Sequence, residues 1–319
     1  MSDSITRLAP SPTGALHLGN ARTFVLTWLL ARQRGWRVLM RMEDLDGPRT
    51  KPGAADEAID DLAWLGLTWD GPVVRQSERS AVYESALSRL IEGGAAYPCT
   101  CSRRDIELAA SAPHADDRVT TYPGTCRGRW ASAEQAAKAT GRPVAWRLRV
   151  PDEPVGFHDE FAGDHEFDLR RTCGDFVIFR GEGLAAYQLA VVLDDAEAGV
   201  DAIVRGDDLL ESTARQIHLR RVLGLRAEPA FWHLPLVIGP DGRRLAKRHG
   251  DTRLSYYRRR GVTPQRLLGL LGYWSGASPR RRPMELSECL DRFDVSRVPH
   301  PPVTFTPEDD AYLLATEAA

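Results

Sequence analysis

Three clusters in this 319-residue chain combine residue types that can do chemistry. The first is Ala9-Pro10-Ser11-Pro12-Thr13-Gly14, followed closely by His17-Leu18-Gly19-Asn20, where an apolar helical pattern begins. Gly14 and Gly19 let backbone approach a ligand closely, the first amides of a helix attract an anion, and an imidazole at His17 can donate to a phosphate oxygen. No Gly-Lys-Ser/Thr is present, so a phosphate loop of the ATPase type is not supported. The second cluster is His233-Leu234-Pro235-Leu236 and then Asp241 to Gly250, DGRRLAKRHG. A basic loop after a β-turn can place Lys247 against polyphosphate, where its charge counters the charge that builds up in phosphoryl chemistry. The third is Cys99-Thr100-Cys101 with Tyr122-Pro123-Gly124-Thr125-Cys126. Two closely spaced thiolates, a third at Cys126 and one oxygen or nitrogen ligand make a four-coordinate zinc site feasible, and by spacing alone Tyr122 and His114 compete for the fourth place.

The elements that must position these clusters are legible as periodicities. Ile5 to Ala9 reads as a strand, Ala21 to Arg34 as a helix with Phe24, Val25, Trp28 and Leu29 at helical spacing, Arg37 to Met42 as a second strand and Ala54 to Leu65 as a second helix. Such alternation predicts a parallel α/β sheet with its ligand at the carboxyl ends of the strands. Tyr83 to Ile91 reads as a further helix, after which Cys99 to Pro154 is rich in Cys, Arg, Pro and Gly and reads as an inserted module. Strand-like runs return at Ala145 to Val150 and Phe176 to Arg180, and Glu211 to Leu223 is patterned as a helix. Gly181 to Ala186 fits a loose G-x-G-x-x-A dinucleotide pattern, but Tyr187 to Leu193 reads as a strand, so a hairpin explains the glycines better than a nucleotide site.

A content of 43% hydrophobic and 27% charged residues supports a buried core and excludes a disordered or collagen-like chain. Five cysteines, an odd number with three in one segment, favour metal binding over a disulfide framework. No stretch is apolar and long enough to cross a bilayer and the N-terminus lacks a basic-then-apolar run, so a cytoplasmic protein with no membrane partner is expected. The formal net charge of −2 excludes a uniformly basic nucleic-acid coat. It leaves room for a local one: Arg243 to Arg260 holds many arginines against the single acid Asp251, with Tyr256 and Tyr257 interleaved to stack on unpaired bases. Arg103, Arg104, Arg127 and Arg129 are the alternative RNA surface.

Taken together, the clusters resemble those of class I aminoacyl-tRNA synthetases. His17-Leu18-Gly19-Asn20 looks like their HIGH motif and Arg244-Leu245-Ala246-Lys247-Arg248 like their KMSKS loop, while RLAPSPTGALHLGNART, RMEDLDGPR (Arg41 to Arg49) and RLAKRHG are close to the glutamyl branch. The resemblance covers roughly Arg7 to Gly276. The second histidine of HIGH is Asn20 here, and only Lys247 keeps an expected lysine of KMSKS. Cys-x-Cys followed by Tyr-x-x-x-Cys looks like the zinc module of the glutamyl-queuosine tRNA(Asp) synthetases, which makes Cys99, Cys101, Tyr122 and Cys126 the implied ligands of one structural zinc. Only about seventy residues follow Lys247, so an anticodon-binding domain like that of a full glutamyl-tRNA synthetase is not expected.

The resemblance implies a class I Rossmann-like parallel sheet with a zinc-bearing insertion and a short helical C-terminal remnant. Its expected divisions are 1–97 and 176–250 for the catalytic halves, 98–175 for the insertion and 251–319 for the remnant. It also implies an enzyme, acting as a monomer, that activates L-glutamate with ATP and magnesium without tRNA and transfers it to queuosine in tRNA(Asp). The implied catalytic residues are His17, Asn20 and Lys247, with Gly19 joining His17 and Lys247 around ATP. Arg7 and Arg205 would hold substrate carboxylates, Glu43 the ammonium, and Ala9, Ser11 and Tyr187 would line the pocket. Rival readings are a truncated glutamyl-tRNA synthetase charging a tRNA 3′ end and a non-catalytic tRNA-binding paralogue, the latter raised by Asn20, Arg244 and Ala246.

Overall fold

A computed structural model describes residues 4–12, 14–45, 53–110, 121–225, 227–243, 245 and 250–315. Lys247, Arg244, Ala246, Arg248 and His114 lie outside the described residues. The N-terminal part runs β1 (Ile5–Leu8), α1 (Leu18–Gln33), β2 (Arg37–Met42), α2 (Ala54–Trp64), β3 (Val73–Arg75) and α3 (Ser80–Glu92). Then come β4 (Ala96–Cys99), α4 (Arg103–Ala110), α5 (Ala133–Thr140), β5 (Ala145–Leu148), the hairpin β6 (Val155–Asp159) and β7 (Gly163–Phe167), α6 (Leu169–Thr172) and β8 (Phe176–Phe179). The C-terminal part is α7 (Tyr187–Glu197), β9 (Ala202–Gly206), α8 (Leu210–Val222), β10 (Ala230–Leu234), β11 (Val237–Ile238), α9 (Leu254–Arg259), α10 (Pro264–Trp274), α11 (Leu286–Arg292), β12 (Val303–Thr304) and α12 (Pro307–Leu314).

Parallel pairing dominates the centre, as the strand and helix alternation predicts. β1 pairs with β2 and β2 with β3, all parallel, and β9 pairs in parallel with β10. Backbone joins the two halves where the Asp201 amide donates to Ile5 O at 3.1 Å and the Ile5 amide donates to Asp201 Oδ1 at 2.8 Å. β6 extends the second half in parallel beside β10, and β7 folds back on it antiparallel. A separate antiparallel sheet, β4-β5-β8, stands beside these. Segment 98–175 therefore contributes both to the antiparallel sheet and, through β6 and β7, to the sheet of β9 and β10.

Two large apolar clusters hold the layers. One joins α1, β1, β2 and α2 to α10 and α11, through Leu26, Leu30, Leu62, Leu268 and Leu271. The other packs α3 and α8 onto α7 and β8, through Leu90, Ile217, Leu189 and Ile178. The C-terminal helices are tied into the first cluster, and β12 pairs with β11 (Val237↔Val303, Ile238↔Thr304).

The sequence reading fails at Tyr187–Leu193, which forms α7 rather than a strand. Residues 188–195 of this helix are all buried, because α3, α8 and β8 enclose it. Its short apolar run Leu189 to Leu193 is enclosed on every side and so imitates a buried strand. The preceding glycines do form a turn, closed by an antiparallel bridge between Phe179 and Ala185.

Candidate active site

A cavity of about 340 Å³ opens at the carboxyl ends of β1, β2 and β9. Its lining includes Arg7, Ala9, Ser11, His17, Gly19, Asn20, Glu43, Tyr187 and Arg205, which is every residue the sequence reading assigns to amino acid or nucleotide except Lys247. Arg7 sits on β1, Glu43 follows β2, Arg205 is near the end of β9, Tyr187 opens α7, and His17 caps α1. The strand ends supply these positions together because neighbouring parallel strands terminate on one side of a sheet.

His17 is the N-cap of α1, and its Nδ1 accepts from the amides of Gly19 at 3.2 Å and Asn20 at 3.4 Å. Asn20 closes a capping box by accepting from the His17 amide at 3.5 Å. An accepting Nδ1 places the ring proton of neutral His17 on Nε2. This corrects one expectation: the first amides of the helix serve the imidazole rather than an incoming anion. Gly19 is required by closeness, since a Cβ there would lie 3.1 Å from the His17 ring.

The part of the cavity around Arg7 and Glu43 is a buried charge network. Arg7 Nε donates to Asp195 Oδ1 at 3.2 Å and its Nη1 to Val204 O at 3.4 Å. Arg41 bridges Asp195 and Glu43, with 3.1 Å to Glu43 Oε1. Burial pushes the Glu43 carboxyl above its usual range against the pull of Arg41 and Arg7. For Asp195 burial acts in the same upward sense, but Arg41 and Arg7 win and hold it below. Burial raises the Tyr187 phenol, assisted by the negative charge of Glu43, so it faces the cavity as a neutral donor.

Sequence reasoning missed Arg41, Asp194 and Asp195 as a group, and Gln76 and Arg180 as lining residues. Asp194 is a hub, receiving Gln76 Nε2 at 2.7 Å, Arg79 Nε at 2.7 Å and the Tyr83 hydroxyl at 3.0 Å. The signal was available, because Val191-Val192-Leu193-Asp194-Asp195 sets two acids against an apolar run, and buried acids require cations.

The third cluster also assembles. The sulfurs of Cys99, Cys101 and Cys126 lie within 4.8 Å of one another. Cys101 and Cys126 are 3.5 Å apart, and the Tyr122 hydroxyl is 3.5 Å from Cys99 Sγ and 4.0 Å from Cys101 Sγ. Thiolates about 2.3 Å from a tetrahedral metal stand roughly 3.8 Å apart, so the three sulfurs are grouped closely enough to hold a metal ion. Burial works against a thiolate at Cys126, yet the Thr100 amide, Cys101, Trp130 and Tyr122 bring it down to about 7. Arg147 lies 3.7 Å over the Tyr122 ring and donates to Cys99 Sγ at 3.3 Å, which sets a cation beside the sulfur group. Gly174 (φ +65°) makes room for this module, because a Cβ there would fall 2.3 Å from Tyr122 O. Cys289 is buried in the core, and Cys173 is half-buried, its carbonyl accepting from the Tyr122 amide at 3.0 Å while its sulfur stands outside the group of three.

The cationic run is less open than its composition implies. Tyr257 is fully buried with its hydroxyl donating to Asp310 at 2.8 Å, so it cannot stack on a base. Arg258 donates to Asp61 at 2.6 Å and lies over Trp64 at 5.2 Å, while Arg253 pairs with Asp251. Tyr256 is half-buried under Arg260. Among the described residues no helix is long and apolar enough to cross a membrane.

The chain matches the family model of the tRNA synthetases class I (E and Q), catalytic domain, over residues 4–306. It is 48% identical over 316 residues to a glutamyl-Q tRNA(Asp) synthetase of Symbiobacterium thermophilum, covering 96% of this chain and 97% of that protein. It is also 48% identical over 311 residues to one of Nocardia farcinica, covering 98% and 95%. The crystal structure of a glutamate tRNA ligase from Elizabethkingia meningosepticum, in complex with its amino acid, superposes with a TM-score of 0.81 at 26% identity, covering 98% of this chain and 69% of that one.

Proposed function

The chain belongs to the class I tRNA synthetases for glutamate and glutamine, and from that premise we propose that it activates L-glutamate with ATP and transfers it to queuosine in the anticodon of tRNA(Asp). It is a ligase, and ATP is the family's energy source. The observation that carries the reading is the single cavity in which Arg7, Arg205, Glu43 and Tyr187 share walls with His17 and Gly19. Guanidinium groups suit the two carboxylates of glutamate, and a buried carboxylate suits its ammonium.

In the activation step the α-carboxylate of glutamate attacks the α-phosphorus of ATP and pyrophosphate leaves. Arg7, Arg205 and Tyr187 hold the amino acid in the attacking pose, and His17 donates through Nε2 to the phosphate oxygens as their charge grows. Lys247 supplies a second counter-charge, with magnesium accompanying the nucleotide. No covalent enzyme nucleophile is required. A zinc ion held by Cys99, Cys101, Cys126 and Tyr122 would supply folding energy to the module around β4 and β5. The protein acts as a monomer in the cytoplasm.

The test is ATP–pyrophosphate exchange with glutamate in the absence of tRNA, followed by transfer of labelled glutamate. Exchange without tRNA and label in a periodate-sensitive anticodon base are expected. No exchange would leave the non-catalytic paralogue, and label on the terminal adenosine would make the chain a truncated glutamyl-tRNA synthetase.

A further inference from the structure

Behind Arg205 lies a chain of buried polar groups that the activation step does not use. Arg205 donates from Nε to His233 Nε2 at 3.0 Å, from one terminal nitrogen to Gln216 Oε1 at 2.8 Å, and from the other to Thr213 Oγ1 at 2.7 Å. On the far side of the imidazole, His233 Nδ1 meets Asp159 Oδ2 at 2.6 Å. Asp159 also accepts from the amides of Phe161 at 3.0 Å, Ala162 at 2.7 Å and His233 itself at 3.1 Å. Exposure is 1% for Asp159 and His233, 0% for Thr213, 3% for Gln216 and 5% for Arg205.

The donors and acceptors permit one assignment. A guanidinium Nε can only donate, so His233 Nε2 must accept, and an ionised carboxylate can only accept, so His233 Nδ1 must carry the proton. Both neighbours dictate the same neutral tautomer. Asp159 on β6, His233 on β10 and Arg205 on β9 thus form a relay across three adjacent parallel strands. Of the five N–H donors of Arg205, protein groups take three, which leaves one on each terminal nitrogen. That pair spans a carboxylate bidentately.

We propose that His233, held in its Nδ1–H tautomer by Asp159, is the positioning residue that fixes the Arg205 fork toward the cavity and thereby sets the affinity for a substrate carboxylate. The inference rests on the glutamate-activating reading. Without the imidazole acceptor, the Arg205 side chain can rotate about its last torsions and present a different edge to the cavity.

The experiment is glutamate-dependent ATP–pyrophosphate exchange with the full chain, varying glutamate at saturating ATP and ATP at saturating glutamate. His233→Phe keeps a planar ring of similar size and removes both hydrogen bonds. It is expected to raise the KM for glutamate on the order of 10- to 100-fold and leave the KM for ATP unchanged. His233→Gln can offer an amide oxygen to Arg205 and its NH₂ to Asp159, and should recover most of that affinity. Thr213→Val, which removes an Arg205 acceptor and the hydroxyl that lies 3.0 Å from His233 Nε2 without baring Asp159, should raise the glutamate KM several-fold and serves if His233→Phe does not fold. An unchanged glutamate KM in the soluble variants, or equal rises for glutamate and ATP, would overturn the proposal. Absence of exchange in the parent would overturn the functional reading and this inference with it, which separates the two failures.

Discussion

Gly19→Ala should separate folding from catalysis at the start of α1. The added Cβ would lie 3.1 and 3.2 Å from two atoms of the His17 ring and 3.6 Å from Val237 Cβ, so the ring must give way by a few tenths of an ångström. That shift weakens the cap which Nδ1 makes to the Gly19 and Asn20 amides. Losing an N-cap costs about 1 kcal/mol, while exchanging glycine for alanine within a helix returns up to about 1 kcal/mol. Net stability should therefore change by less than about 1 kcal/mol. Activation should suffer more, because a hydrogen bond to a charged phosphate is worth about 1.5–3 kcal/mol and even half of that is roughly 4- to 12-fold in rate. The assay is thermal unfolding beside pyrophosphate exchange for Gly19→Ala, His17→Ala and the double variant. The single variants should be non-additive, the double variant being no slower than His17→Ala. A parental exchange rate in folded Gly19→Ala would refute the placement of His17 at the phosphates.

Lys247→Ala should remove most exchange while leaving glutamate binding by calorimetry unchanged, as its ammonium is assigned to polyphosphate alone. Cys101→Ser should lower metal content and the unfolding temperature together, and protein purified without chelators that holds no zinc would reject the site. Tyr122→Phe with retained metal beside loss in His114→Ala would transfer the fourth ligand to His114. Arg258→Ala should cost about 1–3 kcal/mol near neutral pH, since it strips the partner from the fully buried Asp61, the arginine itself being partly exposed. Burial holds the Asp61 carboxyl above its ordinary value, and once protonated it no longer carries the charge that Arg258 neutralises. The gap in stability between parent and Arg258→Ala should therefore shrink as pH falls from 8 toward 5, and a gap that widened would contradict the burial of Asp61.

How much was legible in the sequence depended on how local the signal was. The strand-to-helix starts at Ile5–Leu8 and Leu18–Gln33 follow from Pro10, Pro12, Gly14 and a long run with Phe24, Val25, Trp28 and Leu29 at helical spacing, all local features. α7 was misread because its short apolar run, enclosed on every side, imitates a buried strand. The gathering of Arg7, Glu43, Tyr187 and Arg205 was reached through family motifs, whereas no local pattern ties residues so far apart to one cavity. Tyr257 and Arg258 were read as surface because their partners, Asp310 and Asp61, are distant in sequence. Asp159 stayed invisible for the same reason: a single acid ahead of a turn has no signature until β6 lies beside β10.

The two halves of the cavity are built to different tolerances, and the difference matches what the proposed substrates ask of each. Two guanidiniums are matched from behind by carboxylates, Arg7 by Asp195 and Arg41 by Asp195 and Glu43, whereas Arg205 is held by the neutral acceptors His233, Gln216 and Thr213. An unmatched buried cation would cost several kcal/mol, so these pairs make the empty site tolerable and fix its geometry before substrate arrives. A ligand with a neutral amide in place of the side-chain carboxylate would then face a fork of donors with only one acceptor to offer, and buried donors left without partners are the strongest basis for rejecting it. In the half proposed for the nucleotide, a capping histidine and a glycine are ordered by the start of α1. Phosphate oxygens are alike and highly charged, so they need donors and counter-charge more than a fixed fork, and a basic loop can supply these after ATP has bound.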